Sequence, residues 1–345
     1  MVKSGVHTNG VGNGKGDQLP DVNKPHPFIY RLHPTSLDRI IWYAMAFTLA
    51  PIKAFLVIFL IIIAWIPACV AIIGLPLQPD KPFTRWRLFL KDIAVFFIRV
   101  AWFCAGINRQ VVKGRQASSK EAPVIVMGPH SSFADTLGGA ICGFPGVVSV
   151  IDNARLPLLG TLFRANQSIF VQRGDPDSRS KTAKAIRLRA EANGAWPQLV
   201  IFPEGMCATH TYLLPYKLGA FLPGVPVQLV TIKYPNRLDL TTWVNTGPGI
   251  GALFSLILCS PSLSIEVEFH PVYYPSDEEK SNPELFAENV RELMSRYLNL
   301  PKADLGYGDL MDLVKRTKPN RGIFNLWSSI IKRGYIEMPD KEHFS

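Results

Sequence analysis

From Ala54 to Pro79 the chain carries no charged residue, and Ala54–Gly74 is built mostly from Ile, Leu, Val, Phe and Ala. A helix over that stretch is long enough to cross the ~30 Å hydrocarbon core of a bilayer. A buried core helix of a soluble protein is the weaker reading. Apolar residues make up 48% of the chain, and the excess is concentrated here. A second apolar stretch, Ile40–Ile52, lies just upstream, and a third, Ile93–Ile107, is interrupted by Arg99. Arg31, Arg39 and Lys53 precede the central run, and Lys81, Arg85, Arg87 and Lys91 follow it. With basic residues on both flanks, the positive-inside rule assigns no orientation. The same flanks suit a hairpin dipping into one leaflet, with its bend at Pro67. Spanning and re-entrant topologies both stay open. The apolar region begins too late for a signal peptide.

The membrane-embedded helical segment is expected over residues 37–110. Before it, residues 1–36 are rich in Gly, Asn, Lys and Pro and read as a disordered polar tail. Gly10–Gly16 imitates a phosphate loop but lacks the first Gly of the spacing, the Ser/Thr and a preceding strand. Residues 111–300 change character. Short β-branched runs, Val124–Met127, Val147–Ile151, Ser168–Val171, Gln198–Phe202, Val225–Ile232 and Ser264–Phe269, read as strands. Helices fit Phe133–Cys142, Ser178–Ala192 and Pro283–Leu298. Strands alternating with helices predict an α/β domain, with a mixed, mostly parallel sheet flanked by helices. Gly249–Cys259 is apolar but too short to span; core and membrane contact both fit. Residues 301–345 form a C-terminal extension with an unassigned aromatic cluster of Phe324, Trp327 and Tyr335.

The formal charge of +10 admits nucleic acid, anionic lipid or phosphorylated substrates as partners. Nucleic acid is disfavoured, because neither zinc-finger spacing nor a basic recognition helix is present. A basic chain beside a long apolar segment fits headgroups and phosphorylated co-substrates better. The five cysteines are scattered and form no C-x-x-C pair, so a disulfide framework is not expected. No metal-ligand spacing occurs either.

Chemistry concentrates where strands end. Gly128-Pro-His-Ser-Ser-Phe-Ala-Asp135 places His130 at a turn and Asp135 in the first turns of the next helix. The carboxylate can hold one imidazole nitrogen and leave the other as acceptor for a substrate proton. This is a base with its orienter and no protein nucleophile, so a substrate hydroxyl must attack. Alone, H-x-x-x-x-D is a weak signal. Arg173 leaves the Ser168–Val171 strand and suits bidentate phosphate binding. In Ile201-Phe-Pro-Glu-Gly-Met206 a tight turn presents Glu204, and the backbone N–H groups from Gly205 onward are placed to face an oxyanion. Lys217 sits beside a small-residue turn that can approach a phosphate. Each of these, taken singly, is equally an ordinary turn or surface residue.

Taken in order, His130…Asp135, Phe170…Arg173, Phe202-Pro-Glu-Gly205 and Val225-Pro-Val227 resemble the four blocks of the glycerolipid acyltransferases of the lysophosphatidic acid acyltransferase type. Pro129-His-Ser-Ser132, Asp175-Pro-Asp-Ser-Arg179, Trp196-Pro-Gln198, Gly219-Ala-Phe221 and Tyr234-Pro-Asn236 resemble the lysophosphatidylcholine acyltransferase branch more closely. The likeness spans roughly residues 37–300. It implies acyl-CoA as donor co-substrate, a lysophospholipid as acceptor, and a membrane of the endoplasmic reticulum or a lipid droplet. It also implies His130 and Asp135 as catalytic residues, with Arg173, Glu204, Gly205 and Lys217 binding substrate. Lysophosphatidic acid, an ether-lipid intermediate and a catalytically weak lipid-binding role remain as alternatives. Where that branch reads Glu-Gly-Thr-Cys-Thr-Asn-Arg, this chain has Glu204-Gly-Met-Cys-Ala-Thr-His210, which removes a hydroxyl and an Arg. No EF-hand loop occurs in the sequence, so no calcium control is expected.

Overall fold

The structure is a computed structural model and describes residues 25–172, 176–317 and 322–333. In chain order, α1 (Ser36–Phe47), α2 (Leu49–Ile72) and α3 (Arg85–Ala105) precede β1 (Ile107–Lys113) and β2 (Val124–Gly128). Then come α4 (Asp135–Ile141), β3 (Gly146–Val150), α5 (Leu159–Ala165), β4 (Ile169–Val171), α6 (Pro176–Ala190) and β5 (Leu199–Ile201). The rest is β6 (Val227–Lys233), α7 (Ile250–Leu258), β7 (Leu263–Tyr273), α8 (Asp277–Ser281), α9 (Pro283–Leu298), α10 (Tyr307–Thr317) and α11 (Ile323–Arg333).

The seven strands form one sheet in the order β1-β7-β6-β2-β5-β3-β4. Every neighbouring pair is parallel except β6 and β7. The expected mixed, mostly parallel sheet is therefore what forms. β2 explains why the strands read as unbroken apolar runs. Val124 and Val126 pack on the side covered by α6 and α9, while Ile125 and Met127 pack on the side of α1, α7 and α11. A strand buried on both faces has no polar alternation.

The end of α9 shows how local sequence sets an element. Asn282 accepts from the Leu285 N–H at 3.1 Å, Pro283 occupies the first turn, and Asn299 closes the helix in the left-handed region. Its bounds match the expected Pro283–Leu298.

Among the described residues, α2 is the one helix long and apolar enough to cross a membrane. Pro67 lies inside it without breaking it, so the bend of a hairpin is not at Pro67. The turn comes between Ile73 and Thr84, after which α3 packs along α2. Ala64 and Ala68 face Ala94, Val95 and Ile98, and such small residues let helices approach closely. Arg87 of α3 donates to the carbonyls of Ala71 and Ile73, capping the end of α2.

Two boundaries differ from the sequence reading, and one open alternative is resolved. Residues 25–35 were assigned to the polar tail, yet Phe28, Ile29, Tyr30 and Leu32 are buried. Their apolar side chains fill gaps beside Ala208, Leu214 and the sheet, which local composition does not reveal. The remainder of that tail, 1–24, lies outside the described residues. The sheet starts at Ile107, so the end of the 37–110 segment is already β1. α7 is core, with Ala252, Leu253, Leu256 and Ile257 buried.

Candidate functional site

Because β2, β5 and β6 are parallel neighbours, their C-terminal ends open on one edge of the sheet, where α/β folds bind ligands. His130 follows β2, Phe202–Cys207 follow β5, and Tyr234 follows β6.

His130 Nδ1 lies 2.8 Å from Asp135 Oδ2. The same oxygen accepts the backbone N–H groups of Ser131 and Ser132, each at 3.1 Å. Asp135 Oδ1 accepts the Tyr234 hydroxyl at 2.6 Å. The carboxylate is 2% exposed and held on every side, whereas the His130 side chain keeps 23% exposure. Phe202 stacks on the imidazole with centroids 4.1 Å apart. On the far side, Nε2 lies 3.4 Å from Cys207 Sγ. One nitrogen is thus fixed by a carboxylate, and the other faces the Cys207 sulfur.

Burial works against the imidazolium, but the Cys207 sulfur and the Asp135 carboxylate outweigh it and hold His130 well above its ordinary pKa of 6.5. A general base works unprotonated, so kcat/KM is expected to rise with pH and level off only above the usual histidine range. The stabilisation from this pair is complete below the unfolded-state pKa and is lost as pH rises through the folded one. Activity should therefore climb over the range in which the pair's stabilisation fades. A pH–rate profile beside melting curves checks both; an acid limb at or below pH 6.5 contradicts the assignment.

Glu204 is placed differently from the expectation. Rather than being presented from the turn, it is 1% exposed and points inward. Its Oε1 accepts the His130 N–H at 2.9 Å and its Oε2 the Leu214 N–H at 3.3 Å. Burial pushes its carboxyl up to about 7, against the pull of both amides. Glu204 braces the backbone at His130. Gly205, expected to offer its amide to an oxyanion, donates that N–H to the Phe202 carbonyl at 3.0 Å. Its φ of +67° suits glycine, and a Cβ there would collide with the Lys217 side chain. Lys217 is tied to the same turn, its N–H donating to the Pro203 carbonyl at 2.8 Å. Gly205→Ala is expected to cost about 1–2 kcal/mol from the left-handed backbone alone and to displace Lys217. A lowered thermal midpoint in detergent, with activity falling in step, is the readout; an unchanged midpoint contradicts it. Arg173 lies outside the described residues, although β4, which leads to it, ends at Val171.

The family model for Acyltransferase matches residues 109–233, the span that runs from within β1 to the end of β6 and holds His130, Asp135, Glu204 and Lys217. Lysophosphatidylcholine acyltransferase 1 of Rattus norvegicus is 40% identical over 303 residues, covering 88% of this chain and 56% of that protein. Lysophosphatidylcholine acyltransferase 2 of Homo sapiens is 41% identical over 285 residues, 83% of this chain and 52% of that protein. Residues 109–233 thus carry an acyltransferase-family domain. The chain spans about half the length of these relatives. The crystal structure of the 1-acyl-sn-glycerophosphate acyltransferase PlsC from Thermotoga maritima aligns with a TM-score of 0.43 and 16% identity, over 78% of this chain and 97% of that one.

Against this acyltransferase background, the two departures acquire surroundings. Met206 packs with Phe28, Ile29 and Leu214, so its thioether fills a cluster in place of offering a hydroxyl. His210 Nδ1 lies 3.1 Å from Thr242 Oγ1 and 3.7 Å from Asp239. Thr242 also bridges to Ser132, two residues from His130.

Sequence reading gave no role to Tyr234, Phe202 or Cys207. Tyr234 acts on Asp135 across 99 positions, and no local spacing announces that. Phe202 and Cys207 were visible inside a chemical block, but only the fold turns them toward the imidazole.

Proposed function

We propose that this chain moves a fatty acyl group from acyl-CoA to the free hydroxyl of a lysophospholipid, lysophosphatidylcholine first among them. The observation that carries this is the imidazole of His130, fixed through Nδ1 by a fully engaged carboxylate with Nε2 directed away from it. His130 takes the acceptor's hydroxyl proton at Nε2, and Asp135 stabilises the imidazolium. The hydroxyl oxygen attacks the thioester carbon, the carbon–sulfur bond breaks, and the proton leaves with the CoA thiol. Lys217 and Arg173 supply cations for substrate phosphates. The names of the relatives support lysophosphatidylcholine as acceptor. The bare, apolar α2 supports a membrane location, and the family resemblance points to the endoplasmic reticulum or a lipid droplet.

Purified protein in detergent, given labelled acyl-CoA and a panel of lysolipids, tests the reading. Transfer to lysophosphatidylcholine is expected, and failure with every lysolipid would sink it. Arg173→Ala is expected to raise KM for the acceptor far more than KM for acyl-CoA. A lost charge-assisted fork is worth roughly 1.5–3 kcal/mol, about one to two decades in kcat/KM. If only the donor KM moves, Arg173 binds CoA instead.

A second reading rests on the contact between Cys207 Sγ and Nε2. His130 would take the thiol proton, and the sulfur would attack acyl-CoA, releasing CoA as thiol with that proton. The acyl-cysteine would then pass its acyl group to the lysolipid hydroxyl, whose proton returns to the thiol through His130. Hydroxylamine-labile label on protein incubated without acceptor would select this route; its absence at rapid-quench times selects direct transfer.

A further inference from the structure

Two short helices are apolar on both sides. α1 buries Trp42 and Met45, yet leaves Leu37, Ile40 and Phe47 64%, 63% and 88% exposed. With Ala44 these recur at intervals of three and four and form one uncharged stripe. α11 repeats the pattern. Leu326 and Ile330 are buried, while Phe324 and Ile331, seven positions apart on one face, are 87% and 62% exposed. The helices are joined through Trp327. Its ring meets Trp42 edge-on at 6.5 Å and lies 6.2 Å from Tyr43, and its N–H donates to Ser255 of α7 at 3.0 Å. Single exposed apolar residues are ordinary, but aligned stripes on two touching helices mark a contact surface.

Neither helix can span: 12 and 11 residues reach roughly 16–18 Å. Only Thr48 separates α1 from α2, whose most apolar window is 22% buried. The stripe of α1 therefore continues into a surface that hydrocarbon suits. The half-buried rings of Tyr43 and Trp327 at the joint, with Arg39 on the polar side of α1, are the chemistry of a bilayer interface.

We infer that α1 and α11 form an in-plane platform resting on the lipid leaflet beside the point where α2 enters. The inference rests on the membrane location proposed above and adds a second contact that sets the height of the catalytic cleft. The platform is tied to that cleft. Asp38 of α1 pairs with Arg237, and the Tyr30 hydroxyl donates to the Asp239 carbonyl at 2.6 Å. The loop from Tyr234 to Thr242 holds Asp135 at one end and the backbone beside Ser132 at the other. A shift of the platform would reach the carboxylate that orients the base.

The full chain in phosphatidylcholine–phosphatidylserine vesicles tests this, with benzoylphenylalanine placed singly at 47, 324 and, as control, 58 in α2. Cross-linking to phospholipid from 47 and 324 is expected. If 58 reaches lipid while 47 and 324 do not, or if they capture a second copy of the chain, the platform is refuted and the membrane location stands. If 58 also fails, the membrane location falls too, and the platform with it. In Phe47→Glu/Phe324→Glu, KM for lysolipid presented in vesicles should rise about tenfold, while turnover of a monomeric short-chain lysolipid stays unchanged. Equal loss on both substrates would mean the stripes serve folding, and would refute the platform.

Discussion

His130→Ala is expected to lower turnover by ~10²–10⁴ and to leave the protein folded. The rate loss follows from removing the group that takes the acceptor proton. The survival of the fold follows from what remains around Asp135. Its carboxylate would still accept two backbone N–H groups and the Tyr234 hydroxyl, so no buried charge is orphaned. Glu204 bonds the backbone at 130 and not the ring, so that brace also persists. What is lost is the packing of a partly exposed imidazole on Phe202. Activity and thermal melting measured side by side check the prediction. Near-normal turnover in a folded variant would remove His130 from the mechanism, and collapse of the fold would give it a structural role.

The sheet was legible because β2 to β6 are short, apolar and largely β-branched, and because β7 alternates Ile265, Val267 and Phe269 with Glu266 and Glu268. Six of the seven strands therefore stand out. β1 did not, because Ile107-Asn-Arg-Gln-Val-Val-Lys113 is an edge strand with four polar residues, which breaks the apolar run. The pairing of His130 with Asp135 was legible because they lie five positions apart on one strand-to-helix turn. Glu204 and Gly205 were found as positions, but the bonds they make within the turn and to His130 were not. Sequence shows that a turn is tight, not which of its groups the turn itself consumes. Tyr234 was out of reach, since its bond to Asp135 exists only because β6 lies beside β2. The burial of Phe28–Leu32 was missed for the same reason, the partners being far along the chain.

Asp135→Asn is expected to lower kcat by ~10²–10³, with little change in KM for the lysolipid. Where an amide substitution installs the wrong histidine tautomer, the loss is ~10⁴. Here the surroundings decide the orientation of the amide. Position Oδ2 faces two backbone donors, the N–H groups of Ser131 and Ser132. An NH₂ group placed there would meet them head-on, so the amide oxygen must take that position. The NH₂ then faces Tyr234, whose hydroxyl can rotate and accept. His130 keeps an acceptor for its Nδ1–H, and hence its tautomer. What disappears is the negative charge that stabilises the imidazolium, and that charge matters in the transition state more than in the bound ground state. The acid limb of the pH–rate profile should move down, because one of the two groups holding His130 above 6.5 has gone. Two-substrate kinetics across pH measure both effects. An unchanged kcat with a raised KM would make Asp135 a structural residue, and an unmoved acid limb would assign the raised pKa to Cys207 alone.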